Sequence, residues 1–160
     1  MMPDRVVFLD FDGVCNAVGD GSYMDGDPKK YGPSKKCVAN VIKLCEKTGA
    51  GIVISSNWRK FDEDGYWVHD GHKWFNPLPK LRKMIGFLEV AKINSSRGVS
   101  KLQAILDFLN SYKMPVVDFV VLDDDEREGL NYFGKQYFHI DPKRGLTSRH
   151  VEKITEYFGD

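Results

Sequence analysis

The stretch from Val6 to Asn16, VVFLDFDGVCN, decides the fold of this chain. Four apolar, strand-forming residues (Val6, Val7, Phe8, Leu9) run directly into two carboxylates two positions apart, Asp10 and Asp12. Side chains alternate along an extended chain, so acids at i and i+2 lean toward one region of space. Gly13 then lets the backbone turn sharply away. Two carboxylates held together at a strand end repel each other unless a cation or a shared proton relieves them. The pattern points to bound Mg²⁺ and to chemistry, not to packing.

Outward from this stretch, apolar runs of strand length alternate with helical patterns. The first strand covers roughly 5–10. A helix over 34–48 places Val38, Val41, Ile42 and Cys45 on one face, and Gly49 supplies its stop. Gly51–Ser55 reads as a second, buried strand. Residues 77–87 read as a helix with proline near its start and Gly86 near its end, followed by a short strand near 88–93. Ser100 is placed to cap a helix over 101–112 that turns Leu102, Ile105, Leu106 and Leu109 inward. Val116–Leu122 and Tyr137–Ile140 read as further strands, and a last helix spans 147–158. Alternating β and α elements, with strands apolar on both faces, imply an α/β three-layer sandwich around a mostly parallel central sheet of Rossmann type. Ligands of such sheets bind beyond the carboxyl ends of the strands. The polar residues there are DFD (10–12), SSN (55–57) and DDD (123–125), a set that suits a metal and a phosphate.

Composition narrows the function classes. At 160 residues the chain is expected to form one domain with a full core. Lys plus Arg equals Asp plus Glu, 23 each, so no net field draws the whole molecule to nucleic acid or anionic membrane. No apolar run approaches the length of a membrane span, and the opening residues hold no signal-peptide core. The 3 cysteines include no CxxC pair, which argues against a disulfide framework or a zinc site. The expectation is a cytoplasmic protein with no membrane partner; its oligomeric state is left open.

Four motifs resemble those of the haloacid dehalogenase (HAD) superfamily of phosphohydrolases and occur in that family's order. They are FLDFDGV (8–14), IVISS (52–56), GVSKLQAIL (98–106) and VVLDDD (120–125). DGVCN (12–16), SSNWR (55–59), LDDD (122–125) and DPKRGLT (141–147) further resemble the small HAD domains of RNA-repair proteins, in which an Arg-Gly pair such as Arg97-Gly98 precedes the third motif. The resemblance implies that Asp10 is a nucleophile forming an aspartyl-phosphate. It implies that Asp12 protonates the leaving oxygen and then activates water. Mg²⁺ would be held by Asp10, the main-chain carbonyl of Asp12 and Asp124. Asp123 would orient Asp124 or the lysine, and the two acids are interchangeable in this reading. Ser55, preferred over Ser56 because it follows the apolar run directly, would contact the phosphoryl group. So would Lys101, with Arg97 as its competitor. Gly13, Ser56 and Asn57 are expected beside the substrate.

Two segments bear on what the substrate is. Residues 58–76 read as an aromatic β-hairpin insert with its turn near Asp70-Gly71. Trp67 and Trp74 are placed to stack on a base or sugar, with Arg59 and Lys60 reaching phosphates; equally, the aromatic side chains would cover the edge of the core. Residues 15–32, which hold Tyr23, Met24 and Tyr31, follow the nucleophile and form a candidate flap. The gaps between motifs leave no room for a full cap domain, and in this superfamily an uncapped site suits a bulky or extended substrate. The expected function is a Mg²⁺-dependent phosphatase of nucleotide or polynucleotide terminal phosphates. The alternatives are a phosphatase of small metabolites or phosphoproteins, or a non-catalytic HAD-fold binding module.

Overall fold

The computed structural model describes residues 3–61, 65–111, 118–125 and 127–159. Strand β1 (Arg5–Leu9) lies at the centre of a five-stranded sheet. β2 (Gly51–Ile54) pairs with one of its edges, and β6 (Asp118–Asp123) with the other. β5 (Glu89–Lys92) and β7 (Tyr137–His139) close the two sides, so the order is β5-β2-β1-β6-β7. Every pairing in this sheet is parallel. The expected α/β architecture with a parallel central sheet is therefore present.

The reason lies in the two-sided burial of the strands. Val7, Leu9, Ile52 and Ile54 face one core, which is completed by helices α1 (Lys35–Thr48), α2 (Leu78–Ile85) and α4 (Ser148–Tyr157). Val6, Phe8, Val53 and Val121 face the other, where α3 (Lys101–Ser111) contributes Ala104 and Ile105. Helices on both faces give the three layers.

Element ends differ from expectation in instructive places. The 77–87 helix is shorter because Gly86 takes a positive φ of 56°, after which residues Gly86–Leu88 form a single 3₁₀ turn. α3 ends at Ser111, and the expected last position at 112 lies outside the described residues, as do Val116 and the next residue of the third expected strand. β6 runs one residue further than expected and takes in Asp123.

The hairpin forms a separate two-stranded sheet from β3 (Tyr66–His69) and β4 (His72–Phe75). Asp70 and Gly71 both have positive φ, 51° and 75°, the requirement of a tight turn whose twist matches the flanking strands. Among the described residues no helix is long and apolar enough to cross a membrane.

α4 begins with a reciprocal cap. The Thr147 hydroxyl accepts from the His150 amide, and His150 Nδ1 accepts from the Thr147 amide at 3.0 Å. Burial, with Lys153 nearby, pushes the His150 imidazole below its ordinary value of 6.5. A depressed pKa on a base means that the unfolded chain binds the proton more readily. The stability supplied by this cap is thus complete above pH 6.5 and is lost as pH falls through the lower folded value. Replacing His150 with Gln keeps an acceptor at this position without the titration. The stability advantage of wild type over His150→Gln is expected to shrink as the pH is lowered from 8 to 5. Urea titrations at the two pH values check this.

Candidate active site

Parallel register lines up the strand ends. Leu9 pairs with Ile54 on one side and Leu122 on the other, so the next residues along, Asp10, Ser55 and Asp123, form a row across the sheet. Main-chain bonds extend the pairing to this row: Asp10 N donates to Leu122 O and Ser55 N to Leu9 O. Asp10 and Asp123 of this row line the floor of a cleft of about 810 Å³, together with Asp12, Ser56, Asn57, Trp67 and Asp124, while Ser55 is fully buried and does not line it.

Lys101 enters this floor from the first turn of α3. It is 3% exposed, and its Nζ lies 2.6 Å from Asp123 Oδ2, 3.1 Å from Glu128 Oε2 and 3.4 Å from Asp10 Oδ1. Burial opposes its charge, but Asp10, Asp123 and Glu128 outweigh that and hold its pKa above the ordinary value. A cation at a helix start also opposes the helix dipole, and these carboxylates offset that cost.

The acids are crowded beyond what one lysine neutralises. Asp10, Asp123 and Asp124 can each present an oxygen within 4.8 Å of the others. Burial, then repulsion from Asp123, pushes Asp10 well above the usual carboxylate range, against the pull of Lys101. The same two causes push Asp124 up to about 6. Gly13, at φ +79°, permits this approach: a Cβ there would lie 2.7 Å from Asp124 Cγ. A set of oxygen donors held close with excess negative charge fits a small hard cation such as Mg²⁺.

Asp12 sits apart from this cluster. Its Oδ1 accepts from Tyr31 at 2.7 Å and from Asn16 at 3.3 Å, and its Oδ2 accepts from Trp58 Nε1 at 3.1 Å. Burial raises its pKa, and those three hydrogen bonds oppose the rise. Ser55 is fully buried, and among the described residues its hydroxyl has no hydrogen-bond partner, an orphan polar atom that a phosphoryl oxygen would satisfy. Ser56 lines the cleft, and its Oγ accepts from Trp58 N.

Other expected site residues lie elsewhere. Arg59 is 1% exposed and does not reach into the cleft. Its guanidinium donates to the carbonyls of Ser55, Ser56 and Asn94, which ties the loop after β2 to the end of β5. Carbonyls left unpaired where strands end explain this use of a fork of donors. Lys60 likewise donates to Val99 O. Arg97 lies over the Phe61 ring at 5.1 Å, and Lys101 is the cation that meets Asp10. Trp74 is buried edge-on against Tyr31, while Trp67 on the same face of the hairpin lines the cleft and stacks on His69 at 4.6 Å. The segment expected as a flap is fastened to the DPKRGLT stretch: Val18 N donates to Pro142 O and Gly19 N to Lys143 O. It also carries Tyr23, whose hydroxyl reaches Asp124 Oδ2 at 3.3 Å.

Three groups at the site were not singled out by the sequence pattern. Glu128 pairs with Lys101 and accepts from Asn57, while Asn16 and Trp58 hold Asp12. Asn16 and Trp58 lie inside the quoted DGVCN and SSNWR motifs, and that adjacency was the available signal.

Known proteins give a strong correspondence. Residues 6–151 match the family described as the HAD domain in Swiss Army Knife RNA repair proteins. No curated protein matches the chain. The matched span takes in the central sheet, with β1 from Val6 onward and the other four strands whole, and every acid of the cluster. HAD domains are in general phosphatase-type hydrolases with an acidic site of this kind, and the chain belongs to the family of HAD domains found in Swiss Army Knife RNA repair proteins.

Proposed function

We propose that the chain is a Mg²⁺-dependent phosphatase that hydrolyses phosphate monoesters through an aspartyl-phosphate on Asp10. The observation that carries the reading is the Asp10–Lys101–Asp123 contact beside Asp124, at the carboxyl ends of the central strands. Asp10 and Asp124, with the Asp12 main-chain carbonyl, would hold the ion, and Asp123 would hold Lys101. The bound ion supplies charge neutralisation and alignment for a phosphoryl oxygen.

In the first half-reaction an Asp10 oxygen attacks phosphorus, the bond to the leaving oxygen breaks, and Asp12 gives that oxygen its proton. In the second, Asp12 takes a proton from water, the water oxygen attacks phosphorus, and the Asp10 carboxylate leaves. Lys101 keeps a positive charge beside Asp10 throughout, where growing negative charge on the phosphoryl group needs it. The buried Ser55 hydroxyl donates to a phosphoryl oxygen.

The substrate class we propose is a nucleotide or polynucleotide terminal phosphate. Support comes from the Trp67–His69 stack at the cleft, which offers a flat face to a base, and from the family's occurrence in RNA repair proteins. Phosphate release is to be measured, with Mg²⁺ and with EDTA, from an aryl phosphate, 5′- and 3′-mononucleotides, and oligonucleotides bearing either terminal phosphate. Mg²⁺-dependent release is expected, strongest from a nucleotide class. Trp67→Ala should raise KM for that class by about tenfold and leave KM for the aryl phosphate nearly unchanged. Release from the aryl phosphate alone would remove the nucleic-acid substrate and keep the chemistry.

A further inference from the structure

We infer that Tyr31 and Trp58 are positioning residues for the acid–base carboxylate of Asp12, an inference that rests on the role given to Asp12 above. A free aspartate rotates about two single bonds. Here donors reach both of its oxygens, Tyr31 on Oδ1 at 2.7 Å and Trp58 on Oδ2 at 3.1 Å, which fixes both torsions. Asn16 adds a local bond at 3.3 Å from within the same turn. Tyr31 and Trp58 come from 19 and 46 residues along the chain, so tertiary folding is what brings them here.

The direction of the bonds is fixed as well. Trp58 Nε1 lies 2.6 Å from the Tyr31 oxygen, and an indole nitrogen can only donate. The Tyr31 oxygen therefore accepts from Trp58, and its own hydrogen is left for Asp12. Trp58 shares its N–H between the Tyr31 oxygen and Asp12 Oδ2.

Buried aromatic surface keeps both donors in place. The Tyr31 ring meets Phe11 and Trp74 edge-on, at 5.9 and 5.5 Å, and Trp58 meets Phe61 at 5.7 Å. Trp74 belongs to the hairpin, so the hairpin buttresses Tyr31 and, through it, Asp12. In a cleft built only for packing, the polar ends of two buried aromatic residues would have no reason to converge on a carboxylate of the cleft wall. With Asp12 held, the group that hands a proton to the leaving oxygen, and takes one from water, starts each step already in place.

The test uses two phosphate monoesters of near-equal shape, 4-nitrophenyl and 4-methoxyphenyl phosphate, with Mg²⁺ present. The nitrophenolate leaves readily without a proton; the methoxyphenolate needs one. Tyr31→Phe and Trp58→Phe each remove the donor and keep most of the ring. In both variants the ratio of kcat/KM for the nitrophenyl ester to that for the methoxyphenyl ester, which reports only the steps up to loss of the leaving group, is expected to rise by about tenfold over wild type. Asp12→Asn should raise the same ratio further. Equal losses on both esters in Tyr31→Phe and Trp58→Phe, while Asp12→Asn still raises the ratio, would overturn the positioning role alone. An unchanged ratio in Asp12→Asn would overturn the role of Asp12 itself, and the inference with it. If one aromatic variant fails to fold by circular dichroism, the other decides.

Discussion

Replacing Asp10 with Asn is expected to lower turnover by about 10³-fold or more while making the protein harder to unfold. The first half follows from chemistry: an amide is a poor nucleophile toward phosphorus, and no neighbouring group can take the place of Asp10 in the row. The second half follows from the cost of the wild-type carboxylate. Burial and Asp123 raise its pKa well above 3.8, so the folded state binds that proton more tightly than the unfolded chain. Stability tied to Asp10 is therefore greatest at acid pH and declines as pH rises from 3.8 toward the raised folded value. An uncharged Asn removes the penalty, and in EDTA at pH 7 the Tm of Asp10→Asn should exceed that of wild type. Excess Mg²⁺ should narrow the gap, because the ion stabilises only the charged cluster. Thermal melts in EDTA and in Mg²⁺, alongside a phosphatase assay, read all three effects. A Tm below wild type in EDTA would mean that the Asp10 carboxylate is better compensated than its neighbours allow.

Lys101→Met is expected to be inactive for the opposite reason. It leaves Asp10, Asp123 and Glu128, which all meet the same Nζ, with no buried cation between them. Breaking a buried ion pair by removing one partner typically costs about 3–5 kcal/mol, because an uncompensated charge stays behind. The side-chain volume is nearly conserved, so lost packing contributes little. Urea unfolding should show the loss as a lower midpoint with an unchanged slope. Coupling to Asp10 is directly measurable: in the double variant Lys101→Met with Asp10→Asn, part of the lost stability should return. Kinetically, loss of a preorganised charge beside the phosphoryl group should lower kcat by about 10²–10³-fold in whatever fraction remains folded. One variant is thus dead and stable, the other dead and unstable, and that contrast separates an acidic catalytic cluster from a merely structural ion pair.

The parts of the site that could be read from sequence are those set by local rules. Asp10, Ser55 and Asp123 end apolar strands, and parallel register alone is enough to align strand ends across a sheet. Lys101 stands at the first turn of a helix, where a cation is unfavourable without a partner, and its partners are the predicted acids. Arg59 shows the limit of such rules. Next to SSN it looks like a phosphate ligand, yet its partners include Asn94 O, 35 residues on, and no local pattern announces a carbonyl that needs a donor. Trp67 and Trp74 look equivalent in the hairpin and face each other in register, but one lines the cleft and the other packs under Tyr31. Which of two cross-strand neighbours is covered depends on what docks against the hairpin, and that is a tertiary fact. Tyr31 itself lies in a glycine-rich segment without periodicity, so its convergence with Trp58 on Asp12 is visible only once the chain is folded.

The most direct test of the central claim is to trap the intermediate. Asp12→Asn should form the aspartyl-phosphate and hydrolyse it slowly, because water then lacks its base. The variant is mixed with Mg²⁺ and an aryl phosphate, quenched in acid, and examined by intact mass and by mapping of the peptide that contains Val6–Asn16. The account predicts a gain of one phosphoryl group, on Asp10, that is absent from Asp10→Asn. Steady release of phosphate with no phosphoryl group on Asp10 at any quench time would contradict it and point to direct attack by water.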